Sequence, residues 1–204
     1  MSTIVLDISA NTHKNDIRYL KKMIDAVAGI DSHLHEVVIK HQLYLKIPPN
    51  LKMDRVVFHK AYTYARAKGY KTTASVFDLP SLDYLMQFSV PYIKIACNSR
   101  YYYLVDEIPR KYKVLCSGYK DLMPGGVKLM CCVPQYPAKK EEYTRTFTEH
   151  ELRHAISDHT VGLELWNEYK PLYFEKHFVL HKDKADNPDS GPFSVDISDL
   201  RTLL

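Results

Sequence analysis

Short apolar runs, separated by polar stretches that favour helices or turns, recur from one end of this 204-residue chain to the other. Eight of them, at residues 3–8, 36–41, 71–76, 92–96, 112–116, 127–132, 155–157 and 172–178, read as near-continuous apolar segments rather than alternating ones. Strands buried on both faces have that pattern, and such strands are parallel, with crossover connections between them. Eight of them predict an α/β fold of the (β/α)8 TIM-barrel class, in one domain spanning residues 1–204.

The connecting stretches are uneven. Residues 16–28 carry Ile17, Leu20, Ile24 and Val27 at helical spacing, and Gly29 stands where a C-terminal cap is needed. Residues 54–68 are similar and are closed by Gly69. Thr148-Glu149-His150-Glu151 has capping-box spacing and predicts the start of a short helix. Lys120-Asp121-Leu122-Met123-Pro124-Gly125-Gly126 excludes a normal helix, and residues 163–170 allow about two turns. Barrels of this class usually need about 250 residues, with roughly 200 as the floor. Shortened or missing helices are therefore expected, and the uncovered flank predicts self-association as a homodimer.

Hydrophobic content of 46% and charged content of 25% are those of a globular protein. A net charge of +4, scattered and without a basic, aromatic-interleaved block, suits an anionic small substrate and argues against nucleic acid. No apolar run reaches the length of a transmembrane helix. The start, Met1-Ser2-Thr3-Ile4-Val5-Leu6-Asp7, lacks the features of a signal peptide. Four cysteines, at 97, 116, 131 and 132, have no Cys-x-x-Cys spacing. They read as free thiols, those at 97, 116 and 132 as small buried residues, and the protein is expected in the cytoplasm.

Chemistry concentrates at the C-terminal ends of the predicted strands. Lys40 and Gln42 end the second, Ser75 and Asp78 the third, and Lys94 lies in the fourth with Asn98 just beyond. Ser117 ends the fifth and Tyr136 follows the sixth. The seventh and eighth end in Ser157-Asp158-His159-Thr160 and Glu175-Lys176-His177-Phe178, with the histidines 18 positions apart. In a barrel these ends share one mouth, where active sites are built, and two imidazoles on adjacent strands suit a divalent metal. Two lysines pointing inward among apolar residues are costly unless an anion sits between them. The remaining histidines (13, 33, 35, 41, 59, 150, 154 and 181) read as surface or satisfied core residues, and Tyr101-Tyr102-Tyr103 as packing on the barrel flank.

Taken in order, Lys40-His41-Gln42, Phe77-Asp78, Lys94-Ile95-Ala96, Cys116-Ser117-Gly118, Cys132-x-x-x-Tyr136-Pro137 and the two histidine motifs resemble the catalytic barrel of N-acetylneuraminate (sialic acid) synthase. The resemblance implies condensation of phosphoenolpyruvate with an open-chain aldose such as N-acetylmannosamine, with release of phosphate. It implies a divalent metal, Mn2+ foremost and Mg2+ or Co2+ as alternatives, on His159 and His177. Phosphoenolpyruvate contacts would map to Lys40, Gln42, Lys94, Ser117, Tyr136 and Ser157, with Ser75 and Asn98 beside them. Asp189, in Asn187-Pro188-Asp189, resembles a carboxylate that contacts sugar hydroxyls, and Asp7 stands for a glutamate that is a candidate acid/base group.

Three departures from the family pattern bear on function. The stretch Asn11-Thr12-His13-Lys14-Asn15 interrupts an Asn-His-x-Gly element, and Cys97 replaces a phosphate-binding serine. No C-terminal antifreeze-like domain precedes the chain end at Leu204. Two other readings therefore stand beside the synthase: another phosphoenolpyruvate- or pyruvate-dependent aldol-type enzyme, and a catalytically impaired barrel serving as a binding or assembly module.

Overall fold

The computed structural model describes residues 1–8, 14–43, 51–118, 127–150, 152–182 and 188–204. Eight strands, β1 (Thr3–Asp7), β2 (Glu36–Leu43), β3 (Lys71–Val76), β4 (Ile93–Ile95), β5 (Val114–Ser117), β6 (Lys128–Cys132), β7 (Ala155–Asp158) and β8 (Tyr173–His177), pair in sequence order. β8 pairs back with β1 in parallel register, Asp7 opposite His177, and closes a TIM barrel. All eight strands fall on the apolar runs. β2 runs two residues past its predicted end and β5 starts two residues late.

Successive side chains on a strand point to opposite faces, so each strand divides its residues between barrel interior and helices. The outward set, including Ile4, Leu6, Ile39, Val76, Ile95, Ile156 and Phe174, joins the main hydrophobic core under the helices. Burying each such side chain stabilises the fold by about 1.5–3 kcal/mol. The inward set forms layers along the barrel axis. Val5, Val38, Tyr92, Leu115, Met130 and Ala155 make one apolar layer. Above it lie the buried polar residues Asp7, Lys40, Ser75, Lys94, Ser117, Ser157 and Glu175, at the C-terminal side.

The helices are α1 (Ile17–Ala28), α2 (Arg55–Ala67), α3 (Leu79–Leu85), α4 (Leu104–Glu107), α5 (Lys140–His150), α6 (Glu164–Tyr169) and α7 (Ile197–Leu203). Asp16 and Asp54 cap α1 and α2, accepting from Arg18 N and from Val56 N and Val57 N. Gly69 ends α2 with φ +92°, where a side chain would be strained, whereas Gly29 is right-handed and any residue could stand there. Asp78, expected at the mouth, instead caps α3 in a reciprocal box with Ser81.

The capping box expected at Thr148 is not formed. Thr148 lies near the end of α5, where its hydroxyl donates to the Thr144 carbonyl (3.0 Å). Tyr143 and Phe147, buried and four apart, start the helix earlier than the local signal suggested. The predicted shortening is real: α4 has four residues and α6 six. The Lys120–Gly126 stretch, expected to lack a helix, lies outside the described residues. Among the described residues no helix is long and apolar enough to cross a membrane.

Candidate active site

A cavity of about 480 Å³ opens at the C-terminal mouth, and all twelve candidate residues line it: Asp7, Lys40, Gln42, Ser75, Lys94, Asn98, Ser117, Tyr136, Ser157, His159, His177 and Asp189. Strand parity brings them together. Asp7 pairs with Lys40 on one side and His177 on the other, and Ser157 stands opposite Glu175.

The floor is ionic and buried. Lys40 Nζ donates to Asp7 Oδ2 (2.6 Å) and to Ser75 Oγ (3.3 Å), and Gln42 Nε2 donates to the same Asp7 oxygen (2.6 Å). Lys94 Nζ donates to Ser117 Oγ (2.7 Å) and to the Ile95 carbonyl (3.3 Å). Between the two lysines stands Glu175, 3.5 Å from Lys40 Nζ and 3.6 Å from Lys94 Nζ, with Ser157 Oγ donating to it at 2.9 Å. The expected external anion is thus not needed to balance the lysines, because Asp7 and Glu175 already do so. Burial alone would push both carboxyls up, but the lysines outweigh it. Asp7 is held down at about 2, with His177 and Gln42 adding to Lys40, and Glu175 is held below its ordinary value by Lys40 and Lys94.

The sequence motif contains Glu175 but assigns it no role of its own. Its signal was parity: two positions before the inward His177, it must also point inward. Lys176 between them points outward, and its buried Nζ bonds Asp158 Oδ2 (2.8 Å) and the Thr160 carbonyl (2.7 Å). Each motif therefore carries one structural residue between two that face the cavity.

The imidazoles lie above this floor, ring centroids 5.6 Å apart. His159 Nδ1 donates to the Val133 carbonyl (2.7 Å), which fixes the tautomer and leaves Nε2 with a free lone pair. Burial, with His177 adding to it, pushes His159 down to about 3, so the ring is neutral, as a metal ligand must be. Burial would lower His177 too, but Asp189 Oδ1 at 3.3 Å and Asp7 Oδ2 at 4.0 Å raise it overall. A divalent ion could be held by His159 as it stands, and by His177 once the proton favoured by Asp189 and Asp7 is displaced, as metal binding releases protons from its ligands. Among the described residues no cluster of three or more His, Cys, Asp or Glu completes a protein-only metal cage.

Several contacts aim these groups. Tyr143 OH donates to the Ser157 carbonyl (2.6 Å) and accepts from His159 N (3.1 Å), fixing the end of β7. The Tyr136 ring packs on His159 at 4.2 Å and on Phe193 at 5.2 Å, roofing the histidine pair. Past β8 the chain returns to it, Val195 N donating to the His177 carbonyl (2.8 Å), and this return carries Asp189 to the cavity. Asn98 caps a short 3-10 helix through Arg100 N (3.0 Å). Tyr101, expected on the flank, lines the cavity and packs edge-on against Phe77 (5.1 Å). Cys97 also lines it, its Sγ 3.7 Å from the Cys132 carbonyl.

A closed parallel barrel with its polar cavity at the C-terminal mouth belongs to the (β/α)8 class of proteins. Within that class, the NeuB family model matches residues 10–204, and the chain belongs to the NeuB family. An uncharacterized protein of Methanocaldococcus jannaschii is 23% identical over 239 aligned residues, covering 99% of this chain and 69% of its own. The N-acetylneuraminic acid (sialic acid) synthetase of Leptospira borgpetersenii, solved in complex with citrate, has a TM-score of 0.73 at 18% identity, covering 98% of this chain and 80% of that one. Spore coat polysaccharide biosynthesis protein E of Chromobacterium violaceum gives 0.77 at 17%, covering 99% and 72%. A phospho-2-dehydro-3-deoxyheptonate aldolase of Thermotoga maritima gives 0.68 at 11%, covering 99% and 67%. At these identities the structural likeness speaks for the fold.

Proposed function

We propose that the chain condenses phosphoenolpyruvate with an open-chain aldose, N-acetylmannosamine or a related sugar, to a nonulosonic or similar 2-keto sugar acid. The observation that carries the reading is the convergence of two buried lysines and two imidazoles on one cavity at the C-terminal mouth. Carbon 3 of phosphoenolpyruvate bonds to the aldehyde carbon, water adds at carbon 2, and the C–O bond breaks to release inorganic phosphate. His159 and His177 would hold a divalent ion, Mn2+ or alternatively Mg2+ or Co2+, which would polarise the aldehyde oxygen.

The other groups have roles their contacts support. Lys40, Lys94, Ser117 and Ser157 bind the phosphate and carboxylate; Lys40, Lys94 and Ser157 exchange part of their bonding to Asp7 and Glu175, and Ser117 part of its bond from Lys94, for the incoming anion. Gln42, Ser75 and Asn98 flank that cradle. Tyr136 and Asp189 orient the acceptor beside the histidine pair. Asp7, ionised in the free protein, enters the reaction as a proton acceptor rather than a donor.

The test mixes phosphoenolpyruvate, Mn2+ and a panel of aldoses and measures phosphate release. Release that disappears in a folded His159→Ala variant supports the reading, and unchanged turnover in that variant refutes it. One observation favours a non-catalytic barrel: Asp7 and Glu175 already neutralise the lysines, so the fold is self-sufficient without an anion. Failure to bind either Mn2+ or phosphoenolpyruvate in calorimetric titration would put that second reading ahead.

A further inference from the structure

The opposite mouth of the barrel holds a second cavity, also of about 480 Å³. Its lining carries four cations, Lys71, Arg110, Lys113 and Lys128, against a single carboxylate, Glu36. Glu36 is committed to Lys71 Nζ and to Thr3 Oγ1 (3.0 Å). Among the described residues Arg110, Lys113 and Lys128 form no contact ion pair, although Glu36 lies within electrostatic reach of Lys113, and Lys128 Nζ lies over the Tyr173 ring, 3.8 Å from its centroid. Four positive charges therefore line this mouth against one carboxylate, which Lys71 and Lys113 share.

A ring of charges at the N-terminal end of a barrel is ordinarily a solvated rim. A second observation separates this one from a rim. Tyr92 lines the same cavity, is only 5% exposed, and its hydroxyl has no hydrogen-bond partner. A buried hydroxyl without an acceptor is a free-energy cost that native structures seldom leave standing. An anionic ligand would offer negative charge to the cations, and a small shift of the Tyr92 side chain, whose hydroxyl oxygen is sealed from solvent, would bring that hydroxyl onto the ligand's oxygens. Lysines suit phosphate as point charges, and arginine suits it as a fork.

We propose that the N-terminal mouth is a second binding site for a small polyanion of pyrophosphate or phosphate-ester chemistry, framed by Lys71, Arg110, Lys113, Lys128 and Tyr92. It is separated from the candidate active site by the single apolar layer of Val5, Val38, Leu115, Met130 and Ala155. It does not depend on the reaction proposed for the other mouth.

Isothermal titration of the full chain with inorganic pyrophosphate, and in parallel with a nucleoside diphosphate, tests it. Lys113 and Lys128 are exposed, so Lys113→Glu/Lys128→Glu should fold, and its pyrophosphate affinity is expected to drop by at least about tenfold. Tyr92→Phe is expected to lose several-fold, while Lys94→Met, which alters the other cavity, keeps the affinity. Equal affinity for both probes would identify a free polyphosphate as the ligand, and a tighter nucleoside diphosphate a phosphate ester. No binding at millimolar pyrophosphate would overturn the proposal. So would an affinity lost in Lys94→Met and retained in Lys113→Glu/Lys128→Glu, since the anion would then sit in the other mouth.

Discussion

Glu175→Gln probes the floor of the candidate active site most directly. At the separations found, 3.5 and 3.6 Å, each lysine interacts with the Glu175 carboxylate by roughly 5 kcal/mol at an effective dielectric of about 20. Desolvation of the three buried groups and repulsion from Asp7 offset much of this, so the net worth is far smaller than the sum. Removing one partner of a buried pair typically costs about 3–5 kcal/mol. Lys40 keeps Asp7 at 2.6 Å, but Lys94 retains only the neutral acceptors Ser117 Oγ and the Ile95 carbonyl. The expected loss is therefore at the lower end, about 3 kcal/mol, or roughly 10 °C in melting temperature for a domain of this size. Urea denaturation measures it. The same substitution removes one of the two internal anions and leaves Lys94 without a counter-charge, so phosphoenolpyruvate should bind about tenfold tighter to Glu175→Gln than to the parent by calorimetry. Unchanged stability would mean that the lysines do not depend on Glu175. Lowered stability without tighter binding would mean that the substrate anion does not use the two lysines.

The remaining predictions concern the walls of the cavity. Lys176→Met leaves the fully buried Asp158 carboxylate with only Thr160 as donor and should cost about 3 kcal/mol in urea denaturation. His159→Ala should lower Mn2+ affinity by more than about tenfold in calorimetric titration, with circular dichroism unchanged. Because the Asp7 carboxyl is held at about 2, below its ordinary 3.8, its contribution is complete above pH 4 and is lost as the pH falls toward 2. It amounts to about 2 kcal/mol, and Asp7→Asn should flatten the acid limb of stability in that window.

The barrel was legible because strands covered on both faces leave continuous apolar runs, and eight of them leave few other folds. The candidate residues were legible for a related reason: a polar residue at the end of an apolar strand has only the mouth to face. What the sequence withheld depends on closure. Glu175 reaches Lys40 and Lys94 only because β8 pairs with β1 and the barrel radius brings three strands' side chains to one point. A reader of the chain sees two lysines that need an anion but not which strand supplies it. Tyr101 is not placed by its sequence because the 3-10 helix that turns its ring toward Phe77 is set by Asn98, whose capping role looks like that of any loop asparagine. Thr148 misleads because a four-residue capping signal does not contain the Tyr143–Phe147 spacing that fixes the helix.

The two histidine motifs combine chemistry and stability through one ladder. Register sets Ser157 opposite Glu175 and Asp158 opposite Lys176. The first pair meets inside, where Ser157 Oγ bonds Glu175, and the second outside, where Lys176 and Asp158 form an ion pair with both side chains fully buried. A slip of β8 by one residue would turn Lys176 inward beside Lys40 and Lys94 and strand Asp158 without its counter-charge. Three buried cations facing Asp7 alone would cost far more than the ladder hydrogen bonds could recover. The Asp158–Lys176 pair thus specifies the register that also holds His159 and His177 side by side. An ion pair of modest net stability is retained because it excludes the competing alignment, so a residue that never faces the cavity governs the geometry of those that do.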